Sequence, residues 1–155
     1  MRTRGLEQLI CEHPMFVGLA SPHCELIGGC GKNVRFDTGK YLFREGEPAN
    51  EFFLLRHGRV VLEMTAPGRG PLRFLTIGPG EIAGVAWLIP PYRWVYDAVA
   101  LDLTRAIAID ASCLRDKAEA DHNFGYEIMK RFMPVLVQRL HAAQLQMLDV
   151  YGSGD

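Results

Sequence analysis

The sequence predicts a mainly β fold flanked by helices, and three observations carry that reading. Between Asn33 and about Asp110, apolar runs of four to seven residues recur. Glycine or proline turns separate them at regular intervals, the mark of a sandwich, roll or barrel and not of βαβ units. Helix-like apolar spacing is confined to the chain before and after this section. The chain then divides into N-terminal helices over 1–32, a β section over 33–110 and C-terminal helices over 111–155, all within one domain.

The elements follow in order. Leu6, Leu9, Ile10, Phe16 and Leu19 recur at helical spacing, interrupted by Pro14. Ser21-Pro22 offers an N-cap with proline at the first helical position, and Gly28-Gly29 ends that helix. Strands are predicted at Val34–Phe36, Tyr41–Phe43, Phe52–Leu55, Val60–Met64, Leu72–Ile77, Val95–Ala100 and Thr104–Ile109. The turn Arg56-His57-Gly58-Arg59 closes a hairpin through the positive φ that glycine supplies. The last third predicts a helix from Ala111 to about Ala120 and a long one from about Asn123 to Val150. In the long helix Met129, Met133, Leu136, Leu140, Ala143, Met147 and Val150 fall four and three apart, a heptad seam. Ile128, Phe132 and Val135 form a second apolar row along its first half only, so one face packs on the β section and the seam meets another helix. Pro134 removes one helical hydrogen bond and should bend the helix near Lys130.

Composition narrows the function. With 155 residues the chain can bury about 70% of its unfolded surface in a single core. A 48% apolar and 23% charged composition excludes a disordered tail. The net charge is −1 and the basic residues are scattered, which argues against a general nucleic-acid binder. No apolar run approaches the roughly 20 residues that span a bilayer, and the N-terminal segment lacks the apolar core of a secretory signal. A cytoplasmic protein is expected. Cys11, Cys24, Cys30 and Cys113 contain no close C-x-x-C pair, so buried free thiols are expected, with neither metal nor disulfide. The five histidines are isolated, so the His-x-His pair of a metal-dependent cupin enzyme is missing; His57 reads as a turn residue, and Glu45 and Glu47 as solvated loop charges.

Three segments share one further property. Phe36-Asp37-Thr38-Gly39-Lys40-Tyr41-Leu42-Phe43-Arg44-Glu45-Gly46-Glu47-Pro48-Ala49, then Phe52–Leu55 with Gly58, then Gly78-Pro79-Gly80-Glu81-Ile82-Ala83-Gly84 resemble the cyclic-nucleotide-binding domain of the catabolite-activator (CRP/FNR) family in order and spacing. The resemblance covers about Leu26 to Val150. It implies an eight-stranded β-roll, a double-stranded β-helix or jelly roll of cupin-like form, with short N-terminal helices and a long C-terminal dimerisation helix. It also implies a phosphate-binding cassette over 78–98, in which backbone amides and an Arg hold a cyclic phosphate and a Glu takes the ribose hydroxyl.

The same resemblance puts other residues at the cassette's key positions. Val85 stands where the ribose-binding Glu belongs, Trp94 where the phosphate-binding Arg belongs and Val95 at the following hydroxyl position. Arg93 is one residue off, and strand alternation should turn it away from the pocket. On the long helix Arg139-Leu140 resembles a pair found in nucleotide-binding members, while Ala143 and Gln144 replace the residues that touch the base. Losing a bidentate Arg–phosphate contact costs about a thousandfold in affinity. The candidate ligand residues are therefore Gly84, Val85, Ala86, Arg93, Trp94, Val95 and Arg139, and the candidate dimer residues Met133, Leu136, Leu140, Ala143 and Met147. The aromatic segment from Trp87 to Tyr96 either lines a remodelled pocket, with Arg93 as its anion anchor, or fills the old one as core.

The expected function is a non-enzymatic, homodimeric sensor module that takes a cyclic nucleotide weakly, or another small anion, and signals to a protein partner. The alternative is a ligand-independent scaffold subunit. Only Tyr151 to Asp155 follow the long helix, so no helix-turn-helix and no direct DNA binding are expected.

Overall fold

The structure is a computed structural model describing residues 5–65 and 67–152, the last four by backbone alone. Two short helices, α1 (Leu6–Glu12) and α2 (Ser21–Gly28), lead into eight strands. These are β1 (Gly31–Phe36), β2 (Tyr41–Phe43), β3 (Glu51–His57), β4 (Val60–Thr65), β5 (Pro71–Ile77), β6 (Ile82–Ala83), β7 (Asp97–Ala100) and β8 (Thr104–Asp110). A 3-10 turn, Ala86–Leu88, separates β6 from β7, and α3 (Ala111–Ala120) and α4 (His122–Gly152) close the chain.

The strands form two antiparallel sheets in the orders β1-β8-β3-β6 and β2-β7-β4-β5. Chain neighbours are therefore split between sheets, as in a jelly roll. The sequence reading held for the class and for most strands. It missed β6, whose two residues are too few to show a period, and placed His57 in a turn, where it ends β3. The hairpin reverses at Gly58, with φ +90°, and a side chain there would collide with the Leu103 carbonyl.

Phe53 meets Phe36 edge to face between the strands, and Phe52, Trp87 and Phe132 form a second cluster with centroid separations of 4.6 to 5.2 Å. That cluster joins β3, the 3-10 turn and α4. The α3 helix starts on Asp110, whose carboxylate accepts the Cys113 N–H. Lys117 donates to the Leu26 carbonyl and Arg131 to those of Met15 and Val17, tying both C-terminal helices to the N-terminal segment.

The expectation of free thiols is corrected. Cys11 bonds Cys24 and Cys30 bonds Cys113, with Cα separations of 5.6 and 5.7 Å that suit disulfides. Spacing along the chain hides the second pair. It forms because β1 pairs with β8, with Gly31 opposite Ile109, so Cys30 just before β1 lies beside Cys113 just after β8. The first pair forms because α1 and α2 pack together. Among the described residues, no helix is long and apolar enough to cross a membrane, and no group of three or more His, Cys, Asp or Glu is placed to hold a metal ion.

Candidate functional site

The cassette segment leaves β6 through Gly84, whose φ is +108°. The backbone there runs against an aromatic wall: a Cβ on Gly84 would sit 2.6 Å from Trp94 Cη2 and 3.3 Å from Phe52 Cβ. Only glycine allows this approach. Val85 is buried, Ala86 opens the 3-10 turn half-buried, and Trp87 inserts behind it against Phe52.

Trp94 is the centre of the segment. It is 5% exposed and stacks on Phe43 at 3.8 Å with an interplanar angle of 12°. Its backbone is held from both sides, the N–H donating to the Glu47 carbonyl and the carbonyl accepting from the Gly46 N–H. Its neighbours point the other way. Arg93 is exposed and donates from Nη1 to the Gly46 carbonyl at 2.9 Å, and Val95 is exposed. Asp97 accepts the Glu45 N–H at 2.7 Å, which ties the end of the segment to the loop after β2.

Opposite this segment lies a buried cation. Arg139 of α4 is 4% exposed and donates from Nη2 to the Ile82 carbonyl at 2.8 Å. Its Nε and Nη1 are buried without a hydrogen-bond partner among the described residues. Close by, the Tyr96 hydroxyl is also buried and unpartnered. Burial holds the Tyr96 phenol above its usual range, opposed by the charge of Arg139 and by a hydrogen-bonding interaction with its guanidinium, which lies too long or too bent to count as a formed bond. Tyr96 rests against Phe43 and Phe74, so aromatic rings flank the ring that carries this hydroxyl. Chemically, a guanidinium with unpaired donors beside a hydroxyl, in surroundings of low dielectric, is an arrangement that can receive an anion.

Of the sequence-derived candidates, the fold sets Gly84 against Trp94 and ties Arg139 to Ile82, two residues before Gly84; Val85 and Ala86 continue the chain from Gly84. Arg93 and Val95 face outward. Sequence reasoning left Tyr96 out of the ligand set, although it lay in the aromatic segment, and could not find the Ile82 carbonyl that orients Arg139. On α4, Met133, Leu140 and Met147 are exposed, Leu136 is half-buried against the roll and Ala143 is half-buried. Val150 lies outside the residues whose side chains are described. Tyr126, Met129 and Val137 add to the exposed apolar row.

Comparison with known proteins agrees with this architecture. The profile of the cyclic nucleotide-binding domain family matches residues 33–121. A CRP-like cAMP-activated global transcriptional regulator of Mycobacterium tuberculosis is 30% identical over 146 residues, covering 94% of this chain and 63% of the regulator. The chain thus spans a little under two thirds of the curated relatives it first matches. A Geobacter metallireducens GS-15 crystal structure, described as a candidate cyclic nucleotide-binding protein, superposes with a TM-score of 0.77 at 27% identity, covering 90% of this chain and all of that one. The catabolite activator protein of Thermus thermophilus superposes with a TM-score of 0.70 at 24% identity, over 90% of this chain and 63% of that one, and supports the fold.

Proposed function

Since the chain belongs to the cyclic nucleotide-binding domain family, we propose that it is a regulatory sensor domain whose cassette no longer holds a cyclic phosphate and whose ligand is a small anion at Arg139. The observation that carries this is Trp94. It stands where the family resemblance assigns the phosphate-binding Arg, and it fills that space by stacking on Phe43 beneath Gly84. The charge that would meet an anion is on the long helix instead. A buried guanidinium cannot discard its proton, and leaving its donors unpaired costs about 1–3 kcal/mol or more.

The domain acts without catalysis, by passing the state of this site to α4. Trp87 packs between Phe52 and Phe132, so a shift of the cassette turn bears on the helix directly. The exposed apolar row of α4 pairs with a second copy of the chain, and the paired helices present the result to a protein partner.

A second reading, a scaffold domain that binds no ligand, is favoured by the burial of Trp87, Trp94 and Tyr96 as core. One experiment separates the two. The thermal unfolding of the chain is followed in rising phosphate, and separately acetate, at constant ionic strength, for the wild type and Arg139→Met. The sensor reading predicts a saturable rise in Tm with one of these anions, equivalent to about 2.7 kcal/mol at a hundredfold excess over Kd. It also predicts no such response in Arg139→Met, whose anion-free stability equals or exceeds the wild type. Identical responses in the two proteins contradict the sensor reading, and a flat wild-type response supports the scaffold.

A further inference from the structure

The outer face of the β1-β8-β3 sheet carries an arrangement that neither the roll nor the buried guanidinium requires. Arg35 on β1 stands directly opposite Arg105 on β8, and His57 on β3 stands opposite the same Arg105 from the other side. Like charges in opposed positions destabilise an antiparallel pair. An irregularity in β3 between Leu55 and His57 adds Arg56 to the same end of the sheet, and bulges of this kind re-aim a side chain. Arg35, Arg56 and Arg105 line a cleft of about 440 Å³, together with Asn33, Val34 and Ala106.

The neighbouring carboxylates are already engaged. Asp37 pairs with Arg35 at 3.1 Å and Asp102 with Arg59 at 2.7 Å. Among the described residues, Arg56 and Arg105 have neither an ion pair nor a side-chain hydrogen bond, and both are exposed. Two guanidinium forks are thus left free at the mouth of one cleft.

We propose that this cleft docks an extended acidic segment of a partner protein, with carboxylates received by Arg56 and Arg105. A guanidinium receives a carboxylate through two parallel N–H bonds, which gives direction as well as charge. Neighbouring strands lie about 4.8 Å apart and alternate residues of an extended peptide repeat at about 6.7 Å, a difference within the reach of long arginine side chains, so two acidic side chains on one face of the peptide can meet Arg105 of β8 and Arg56 of β3. Nucleic acid is the poorer match, because its affinity grows with the number of phosphates neutralised, and here the uncompensated charge is confined to a single cleft in a chain of net charge −1.

The test is a fluorescence-anisotropy titration of the full chain against a labelled peptide of repeated Asp-Ser units, beside an Asn-Ser peptide and a single-stranded DNA of equal length. The Asp-Ser peptide is expected to bind at least about tenfold more tightly than the Asn-Ser peptide and than the DNA, which is about 1.4 kcal/mol. Arg56→Ala with Arg105→Ala removes that advantage, while Arg69→Ala with Lys40→Ala, equal in charge and elsewhere on the surface, leaves it intact. All four side chains are exposed, and an unchanged Tm verifies folding of each variant. The proposal is overturned if the two peptides bind alike, if the DNA binds more tightly than the Asp-Ser peptide, or if both double variants weaken binding equally.

Discussion

Two buried cationic or ionisable side chains show how the same burial leads to different outcomes. His13 is fully satisfied: Nδ1 accepts the Met15 N–H at 3.1 Å while Nε2 faces the Leu55 carbonyl at 3.0 Å, so a neutral ring protonated on Nε2 meets both. Burial holds its pKa below the ordinary histidine value, with the bond to Leu55 opposing and the charge of Arg56 adding to the depression. The unfolded chain therefore takes up the proton first as pH falls. His13 contributes its full stability above the unfolded value of about 6.5, and that contribution is lost as pH falls through the lower folded value. Thermal unfolding at descending pH should show His13→Gln less stable than the wild type at pH 7.5, with the gap narrowing by pH 5.5; a gap that widens on acidification contradicts the assignment. Arg139 is buried with Nε and Nη1 unpaired among the described residues, which is why the proposed anion is placed there. That Trp94 falls at the position where the family resemblance puts the cassette Arg is read from the chain alone, by counting along a strand. The closeness of Tyr96 to Arg139 is not, because it depends on how α4 packs against the β-roll.

At the scale of elements, α4 is read by its exposed side chains. Tyr126, Met129, Met133, Val137 and Leu140 form a row at spacings of three and four, and the first four of them line a groove that also includes Lys130 and Pro134. The heptad seam in the sequence overlaps this row at Met129, Met133 and Leu140. It differs at Leu136, which the roll half-buries, because periodicity alone does not say which of two adjacent apolar rows meets the domain. Light scattering on a sizing column should report a dimer for the wild type and a monomer for Val137→Glu with Leu140→Glu, at an unchanged Tm. A monomeric wild type at high micromolar concentration removes the paired-helix step from the account. The disulfides belong to this scale too. Cys30–Cys113 closes a span of 83 residues, for which the chain-entropy model gives stabilisation of about 4–5 kcal/mol. Its pairing became visible only with the β1–β8 register. These bonds suit an oxidising setting and not the reducing cytoplasm expected from the sequence.

For the molecule as a whole, the order of helices and strands was written in turn chemistry and periodicity, whereas the division of eight strands between two sheets came from the family resemblance and was not written there. The split matters for function. It sets β6 beside β3 and β7 between β2 and β4, so Gly84, Trp94 and Phe43 converge although they come from separate stretches of chain. The central claim is that this convergence closes the space in which the family holds its cyclic phosphate. Isothermal titration of the chain with cAMP and cGMP tests that most directly. The account predicts no saturable heat, or a Kd weaker than about 100 μM, as expected when an Arg–phosphate contact worth several kcal/mol is gone. A stoichiometric isotherm with a Kd of about 1 μM or tighter contradicts it.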